Sequence, residues 1–169
     1  MAHHHHAVPT SPPRARVLVI SSTRTLETDR GGPVLVELAE AGGVEVLGRE
    51  VLPDDEPAIR ARVVEIARQG EVDLLLLTGG TGISSRDVTC EALESCLDKT
   101  LPGFGEIFRS LSFAEIGAGA MLSRAVAGVT ARTLVFALPG SPAACRLAME
   151  KLILPQLGHL RGEIQKEHK

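Results

Sequence analysis

The clearest candidate for chemistry in this sequence is a glycine-rich loop, "TGGTG" at residues 78–82, which follows a run of four leucines. Glycine lets the backbone approach a ligand closely and adopt conformations that other residues avoid. A helix is predicted after the loop, and the first turn of a helix offers unpaired amides and a partial positive charge. The loop therefore predicts a site for a phosphate or another anion. A tight turn without a ligand would need the same glycines, so both interpretations stay open.

This loop matches neither of the two common phosphate-binding motifs. No Gly-Lys-Ser/Thr follows it, so it is not a Walker A motif, and "GTGISS" lacks the third glycine of a dinucleotide fingerprint. The loop also follows the third predicted strand, whereas the dinucleotide fingerprint follows the first. The type of anion is therefore not specified by the loop alone.

Asp87 follows this loop and could act in one of two ways. Magnesium in proteins is usually held by one or two carboxylates together with substrate phosphates, which suits a carboxylate beside a phosphate site. Aspartate is also a good N-cap, and a helix is predicted to begin here. The spacing alone favours the cap.

A second acidic segment, "PDDEP" at residues 53–57, ends the second predicted strand. Asp54 and Asp55 could hold a metal ion or position a phosphate there. Either residue could instead cap the helix that follows, with the other carboxylates solvated. Without further information, the capping interpretation is the favoured one.

Two more segments combine a hydroxyl group with features that suit a polar ligand. "LPGSP" at residues 138–142 has the same order of strand, glycine turn and helix start as the first loop. Its Ser141 could bind a ligand or serve only as an N-cap, and the two interpretations are balanced. Ser123, in "LSRA" at residues 122–125, stands next to an arginine, which alone is a weak indication of function.

Composition excludes several classes of function. The formal net charge is −3, and there is no tryptophan or tyrosine, so neither a basic surface nor aromatic stacking favours nucleic-acid binding. No apolar run approaches the roughly 20 residues that span a bilayer. Apart from the N-terminal histidine run, the only histidines are His159 and His168, near the end of the chain. Histidine-dependent hydrolysis and histidine-bound zinc are therefore excluded from the body of the domain.

The order of predicted elements indicates an α/β fold in one domain. Residues 1–14 are interpreted as an expression tag and a disordered lead-in, residues 15–160 as the domain, and residues 161–169 as a C-terminal tail. Within the domain, buried strands alternate with helices, which predicts a parallel sheet covered on both faces. Ligands of such sheets bind beyond the carboxyl ends of the strands, where all the acidic and glycine loops are predicted to lie. Three scattered cysteines indicate reduced thiols and a cytoplasmic protein.

Together, "TGGTG" with the following "RDVT", "PGFGEIFR", "SRA" and "LPGSP" resemble the molybdopterin adenylyltransferase family, the Mog and MoaB-type proteins. The resemblance runs from about Val17 to Leu157. It implies a three-layer α/β/α sandwich with a mostly parallel sheet, assembled as a homotrimer or a hexamer. It also implies transfer of AMP from ATP to the terminal phosphate of molybdopterin, with Mg²⁺ as cofactor and release of pyrophosphate. The product would pass to a separate metal-insertase partner.

The same resemblance assigns roles to individual positions of this sequence. It implies that Asp54 and Asp87 are catalytic residues that hold the magnesium ion. The residues it implies for substrate and nucleotide binding are Thr78, Gly79, Gly80, Thr81, Gly82, Arg86, Ser123, Pro139, Gly140 and Ser141. We further expect Gly80→Val to block binding by filling the space that a phosphate needs.

Two positions depart from the family pattern. Cys90 replaces a proline at a helix start, which removes a rigid turn but no functional group. Gly31 stands where serine is common, so one hydroxyl contact is absent. Some MoaB-type sequences lack the acidic residues and are doubtful enzymes, whereas this chain retains both. The alternative function is a catalytically inactive molybdopterin-binding carrier or scaffold.

Overall fold

The computed structural model describes residues 11–166, in which six strands form a single sheet with the order β2-β1-β3-β6-β5-β4. The first four strands in this order are parallel, and β5 and β4 extend the sheet by antiparallel pairing. The strands are β1 (Arg14–Ile20), β2 (Glu45–Leu52), β3 (Leu74–Thr78), β4 (Lys99–Thr100), β5 (Val126–Thr130) and β6 (Thr133–Leu138).

The leucine run forms the centre of this sheet. All four leucines of β3 are fully buried, and they alternate between the two faces. Leu74 and Leu76 join one apolar cluster, whereas Leu75 and Leu77 join the other. A strand covered on both faces needs apolar residues at every position, which explains the continuous run.

Helices cover both faces and complete three layers. The helices are α1 (Gly31–Ala41), α2 (Glu56–Gln69), α3 (Thr89–Glu94), α4 (Pro102–Ile116), α5 (Pro142–Ala148) and α6 (Leu154–Gln165). Residues of α1, α4, α5 and α6 pack in the cluster with Leu76, and residues of α2 and α3 pack with Leu75. The predicted three-layer α/β/α fold with a mostly parallel sheet is therefore confirmed. Within residues 11–166, no helix has the length and apolar character needed to cross a lipid bilayer.

The closing helical segment of the chain continues through Pro155. A π-helical turn, Met149–Ile153, precedes α6, and helical structure continues to Gln165. Proline lacks an amide hydrogen and crowds the carbonyl four residues earlier. The wide turn before Pro155 gives the ring room, so the chain stays helical.

The structured region extends beyond the predicted domain boundaries at both ends. Strand β1 begins at Arg14, and the Ser11 carbonyl oxygen accepts a hydrogen bond from Arg161. Arg161 is buried in α6 and forms an ion pair with Asp73. Residues 11–14 and 161–165 are therefore parts of the domain. The predicted tag, and the end of the predicted tail beyond residue 166, lie outside the described residues.

Candidate functional site

The carboxyl ends of the four parallel strands meet at one edge of the sheet and surround an open cleft of about 590 Å³. Each of these strands contributes the loop that follows it. The lining comprises Val19, Ile20, Ser21, Arg24, Asp29, Arg30, Asp54, Thr78, Gly79, Gly80, Thr81, Gly82, Asp87, Leu122, Pro139, Gly140, Ser141 and Pro142.

Strand pairing brings the two glycine loops together. Thr78 of β3 lies opposite Leu138 of β6, and the Gly79 amide donates a hydrogen bond to the Leu138 carbonyl at 3.0 Å. The Thr78 hydroxyl, which is almost fully buried, donates to the Pro139 carbonyl at 3.1 Å. Because these bonds continue the sheet beyond its last residues, both loops are held rigidly at the same edge.

Three successive carbonyl groups of the glycine loop accept hydrogen bonds from other protein groups. The Thr89 hydroxyl donates to the Gly79 carbonyl at 2.9 Å, and the Thr89 amide donates to the Gly80 carbonyl at 3.0 Å. The Arg124 Nε donates to the Thr81 carbonyl, also at 3.0 Å. With these oxygens occupied, the loop presents its amide side to a ligand.

In the two glycine loops, four main-chain amides at the cleft have no hydrogen-bond acceptor within residues 11–166. They belong to Gly80, Thr81, Gly140 and Ser141. Unpaired amides from two adjacent loops form a typical binding site for phosphate oxygens. The arrangement favours the anion-binding interpretation of the first loop over that of a tight turn alone.

Two glycines of this loop are required by the protein itself. Gly79 and Gly80 have φ angles of +100° and +62°, in the left-handed region that favours glycine. A Cβ at Gly80 would overlap the Thr89 hydroxyl and lie 3.1 Å from the Asp54 carboxylate. The expectation that Gly80→Val blocks binding stays a prediction, and the added side chain would also collide with protein atoms.

Asp87 does not cap the helix that follows it. Helix α3 begins after Val88 and has no side-chain cap. Instead, one carboxylate oxygen, Oδ2, accepts hydrogen bonds from the Ser84 amide at 2.9 Å and the Ser84 hydroxyl at 2.6 Å. The hydrogen bond from the Ser84 hydroxyl is the largest effect that lowers the pKa of Asp87, with further lowering from backbone amides and Arg124. The carboxylate is thus ionised and fixed at the wall of the cleft.

Replacing Ser84 with alanine should raise the pKa of Asp87 toward its ordinary value. The pKa of Asp87 is lower in the folded protein than in the unfolded chain. The hydrogen bonds to Asp87 therefore stabilise the fold at pH values above the pKa of the unfolded chain, and this stabilisation is lost as the pH falls through the pKa of the folded protein. We therefore expect the Ser84→Ala variant to unfold at a higher pH than the parent protein when the solution is acidified. Carboxyl-carbon NMR titration of Asp87 checks this, and an unchanged pKa would contradict the assigned cause.

The two aspartates of the acidic loop differ in position, since one caps a helix and the other lies in the cleft. Asp55 caps α2, and its carboxylate accepts a hydrogen bond from the Ala58 amide at 3.0 Å. Asp54 turns into the cleft, where its Oδ2 accepts from the Ser22 amide at 2.7 Å. The other oxygen of Asp54 accepts no hydrogen bond within residues 11–166. Only Asp54 is therefore placed for a ligand.

Ser141 has a position that suits both interpretations, a helix cap and a residue at the cleft. It is the N-cap of α5, with its hydroxyl accepting from the Ala144 amide at 3.2 Å, and it also lines the cleft. Arg86 and Ser123 are not among the lining residues. Arg86 is exposed, and Ser123 lies next to Leu122, which does line the cleft.

The sequence interpretation missed several cleft residues in the loop after β1. Arg24 and Arg30 bring two guanidinium groups that form no ion pair within residues 11–166. Buried Asp29 accepts from the Gly31 and Gly32 amides and forms an ion pair with Arg49 at 2.8 Å. The only available signal was that this polar loop follows the first buried strand.

The two departures from the family pattern have simple structural accounts. Burial raises the pKa of the Cys90 thiol to about 11, so this residue is a neutral packing group. At Gly31, an added Cβ would lie 3.0 Å from both the Gly140 carbonyl and the Thr78 hydroxyl. A side chain at this position would require these neighbours to move.

The residues present suit magnesium bound together with phosphates. Asp54 and Asp87 each have one carboxylate oxygen that no side chain in the described range binds. Carboxylate oxygens are the ligands that Mg²⁺ prefers, and it commonly takes one or two of them plus substrate phosphates. No group of three or more acidic, cysteine or histidine residues within 11–166 could form an all-protein metal site. The two aspartates are the residues that would hold the ion.

Comparisons with known proteins identify the family of this chain. The family described as "Probable molybdopterin binding domain" matches residues 16–159. The chain is 48% identical over 155 residues to molybdenum cofactor biosynthesis protein B of Bacillus cereus, covering 91% of this chain and 92% of that protein. It is 45% identical over 156 residues to the protein of the same name in Staphylococcus aureus, covering 90% and 92%.

Solved structures show the same likeness. A crystal structure of molybdenum cofactor biosynthesis protein B superposes with a TM-score of 0.87 at 47% identity, covering 92% of this chain and 98% of the other. The tungsten cofactor synthesizing protein MoaB from Pyrococcus furiosus gives a TM-score of 0.82 at 31% identity, covering 93% and 99%. The chain therefore belongs to the family of MoaB and Mog-type molybdenum cofactor biosynthesis proteins.

Proposed function

We propose that this protein transfers AMP from ATP to the terminal phosphate of molybdopterin, giving adenylyl-molybdopterin and pyrophosphate. An oxygen of the terminal phosphate forms a bond to the α-phosphorus of ATP. The bond from that phosphorus to the oxygen bridging the α and β phosphates breaks, and pyrophosphate leaves with the electron pair. The observation that carries the proposal is a single cleft lined both by unpaired amides of the two glycine loops and by Asp54 and Asp87.

The main obstacle to this reaction is repulsion between two polyanions. At 4 Å and an effective dielectric constant of about 20, each pair of like unit charges costs about 4 kcal/mol. The amides of both glycine loops would bind phosphate oxygens, and Arg24 and Arg30 would offset further negative charge. Catalysis of phosphoryl-type transfer depends mainly on such positioning and charge stabilisation. The nucleophile is already an anion, so no histidine base is required.

Asp54 and Asp87 would hold the cofactor Mg²⁺ at the edge of the same cleft. Bound there, the ion would supply charge neutralisation between the phosphates. Ser84 and Ser22 each donate a hydrogen bond to one oxygen of these carboxylates and so fix them in place. Their orientation thus exists before any ligand binds.

The alternative function is a molybdopterin-binding carrier or scaffold in the same pathway that lacks catalysis. Both functions need the amide-lined cleft, but only the enzyme needs the two aspartates oriented as observed. Incubation with molybdopterin, ATP and Mg²⁺, followed by chromatography of the pterins, distinguishes them. Adenylyl-molybdopterin and equimolar pyrophosphate are expected. Binding of molybdopterin without any product would establish the carrier instead.

We also propose that the active form is a cytoplasmic homo-oligomer, a trimer or a hexamer, that delivers its product to a metal-insertase partner. Free thiols at Cys90, Cys96 and Cys145 agree with a reducing compartment. Large apolar side chains are exposed at the end of α4 and in the 3₁₀ helix that follows it (Gly117–Leu122): Phe113, Ile116, Met121 and Leu122. Exposed apolar groups of this kind commonly contact another protein chain. Because Leu122 also lines the cleft, such an interface would lie beside the site.

Replacing Phe113 and Ile116 together with serine is expected to dissociate the oligomer. The change removes two exposed apolar groups, 63% and 60% accessible, without opening the core. Sedimentation equilibrium should then give the monomer mass. Ile107→Ser is the matched control, because Ile107 is also exposed but lies nine residues, or two and a half turns, from Ile116 on the same helix. Equal dissociation by the control would argue against this surface.

A further inference from the structure

Arg124 lies behind the glycine loop, outside the residues that line the cleft, and forms four hydrogen bonds there. Its Nε donates to the Thr81 carbonyl at 3.0 Å, and its Nη2 donates to the Asp87 carbonyl, also at 3.0 Å. Both Nη atoms also contact the Glu91 carboxylate of α3. The planar guanidinium group of Arg124 thus connects both ends of the segment 81–87 to α3.

The contacts of Arg124 complete a pattern along the loop. Thr89 binds the carbonyls of Gly79 and Gly80, so Arg124 binds the third carbonyl in succession. The amide of Gly82 belongs to the peptide unit of the Thr81 carbonyl and is rigidly coupled to it. Fixing that carbonyl therefore fixes the direction in which the next amide points.

Arg124 acts on Asp87 through the main chain. The Asp87 carboxylate is bound by Ser84, while its carbonyl is bound by Arg124, so the residue is held at both ends. Arg124 is about one-third exposed at its side chain, and Glu91 nearly half, so the ion pair alone contributes little. The more important role of Arg124 is geometric, because its rigid guanidinium group bridges the carbonyls of Thr81 and Asp87.

We propose that Arg124 is a positioning residue that fixes the Thr81–Gly82 end of the glycine loop and the metal-holding Asp87 for the nucleotide phosphates. The proposal rests on the proposed function, since it assigns Asp87 to a magnesium–nucleotide complex. Its chemical basis is specific to arginine. Lysine is a point charge on a flexible stem and cannot bridge the Thr81 and Asp87 carbonyls in one plane.

The test compares Arg124→Lys and Arg124→Gln with Glu91→Gln and with Arg62→Lys. Arg62→Lys is the control for arginine loss, because Arg62 also forms ion pairs with two glutamates but lies on α2, outside the cleft. We expect the two Arg124 variants to raise the half-saturating Mg²⁺ concentration and lower kcat/KM by about 10–100-fold, the usual range for residues that orient metal ligands. Glu91→Gln keeps both carbonyl contacts and should retain most of the activity.

Two further readouts separate positioning from general destabilisation. Amide hydrogen exchange should accelerate in peptides covering residues 79–89 and nowhere else, with melting temperature close to that of the parent protein. Binding of Mn²⁺–ATP, followed by electron paramagnetic resonance, should weaken in both Arg124 variants. Unchanged exchange and unchanged Mn²⁺–ATP affinity in Arg124→Gln would overturn the proposal. Equal loss in Glu91→Gln would also overturn it, because the ion pair would then be the cause.

These readouts also distinguish a failure of the role assigned to Arg124 from a failure of the proposed reaction. If the parent protein binds Mn²⁺–ATP but forms no adenylyl-molybdopterin, the proposed function fails, and exchange and binding still test Arg124. If the parent protein forms product and Arg124→Gln matches it in every measurement, only the role of Arg124 fails.

Discussion

Asp87→Asn is expected to lower the rate of adenylyl-molybdopterin formation by roughly 10²–10³-fold, the loss typical of removing one major electrostatic contribution to a transition state. Asparagine keeps an oxygen that can accept from Ser84, so the turn at residues 84–87 should survive. The variant removes only the charge that would hold Mg²⁺. Pyrophosphate release in the presence of molybdopterin, ATP and Mg²⁺ measures the effect.

The matched control for this variant is Asp55→Asn. Asp55 is a nearby carboxylate that caps α2 and does not line the cleft, and asparagine is an equally good N-cap. Its activity and melting temperature should stay close to those of the parent protein. If Asp87→Asn turned over as fast as this control, Asp87 would be a structural residue of the loop and nothing more.

Gly79→Ala is expected to cause the largest loss of stability among single changes at the cleft. Gly79 has a φ angle of +100°, where an alanine is strained by about 1–3 kcal/mol. Its Cβ would also overlap the carbonyl oxygen of Ile20, a backbone atom of β1 that cannot rotate away. Chemical denaturation should show a lower free energy of unfolding by at least that strain, and ATP binding should weaken with it.

Gly103→Ala provides the comparison for Gly79→Ala. Gly103 lies in the first turn of α4, and an added Cβ would meet nothing within 4 Å. Alanine is favoured over glycine in a helix by about 1 kcal/mol, so this variant should match or exceed the parent in stability. A similar destabilisation by both changes would show that the collision with Ile20 is not the cause.

Residue patterns predicted most of the sheet because its parallel strands are buried on both faces. β3, β6 and the part of β1 from Val17 onward consist mostly of apolar residues bounded by polar or glycine loops, which is a strong local signal. β4 and β5 were not predicted. β4 has only two residues, both exposed, and β5 contains a glycine packed tightly against the Lys99 carbonyl, so neither has a periodic pattern.

The candidate site was predictable where it depends on loops that follow buried strands. Glycine and aspartate at the ends of β2, β3 and β6 indicated the cleft, and the topology then placed these loops together. The choice between Asp54 and Asp55 was not predictable, because either residue could begin a helix. Arg124 was also out of reach, since its contacts with Thr81 and Asp87 join segments about 40 residues apart in sequence.

The strand order determines when the two glycine loops can come together during synthesis of the chain. The hydrogen bonds from Gly79 and Thr78 to Leu138 and Pro139 cannot form until β6 and the residue after it have left the ribosome. A nascent chain that ends before β6 would carry a complete "TGGTG" segment but no rigid cradle. The cleft lined by both glycine loops can therefore be completed only when β6, the last strand, docks.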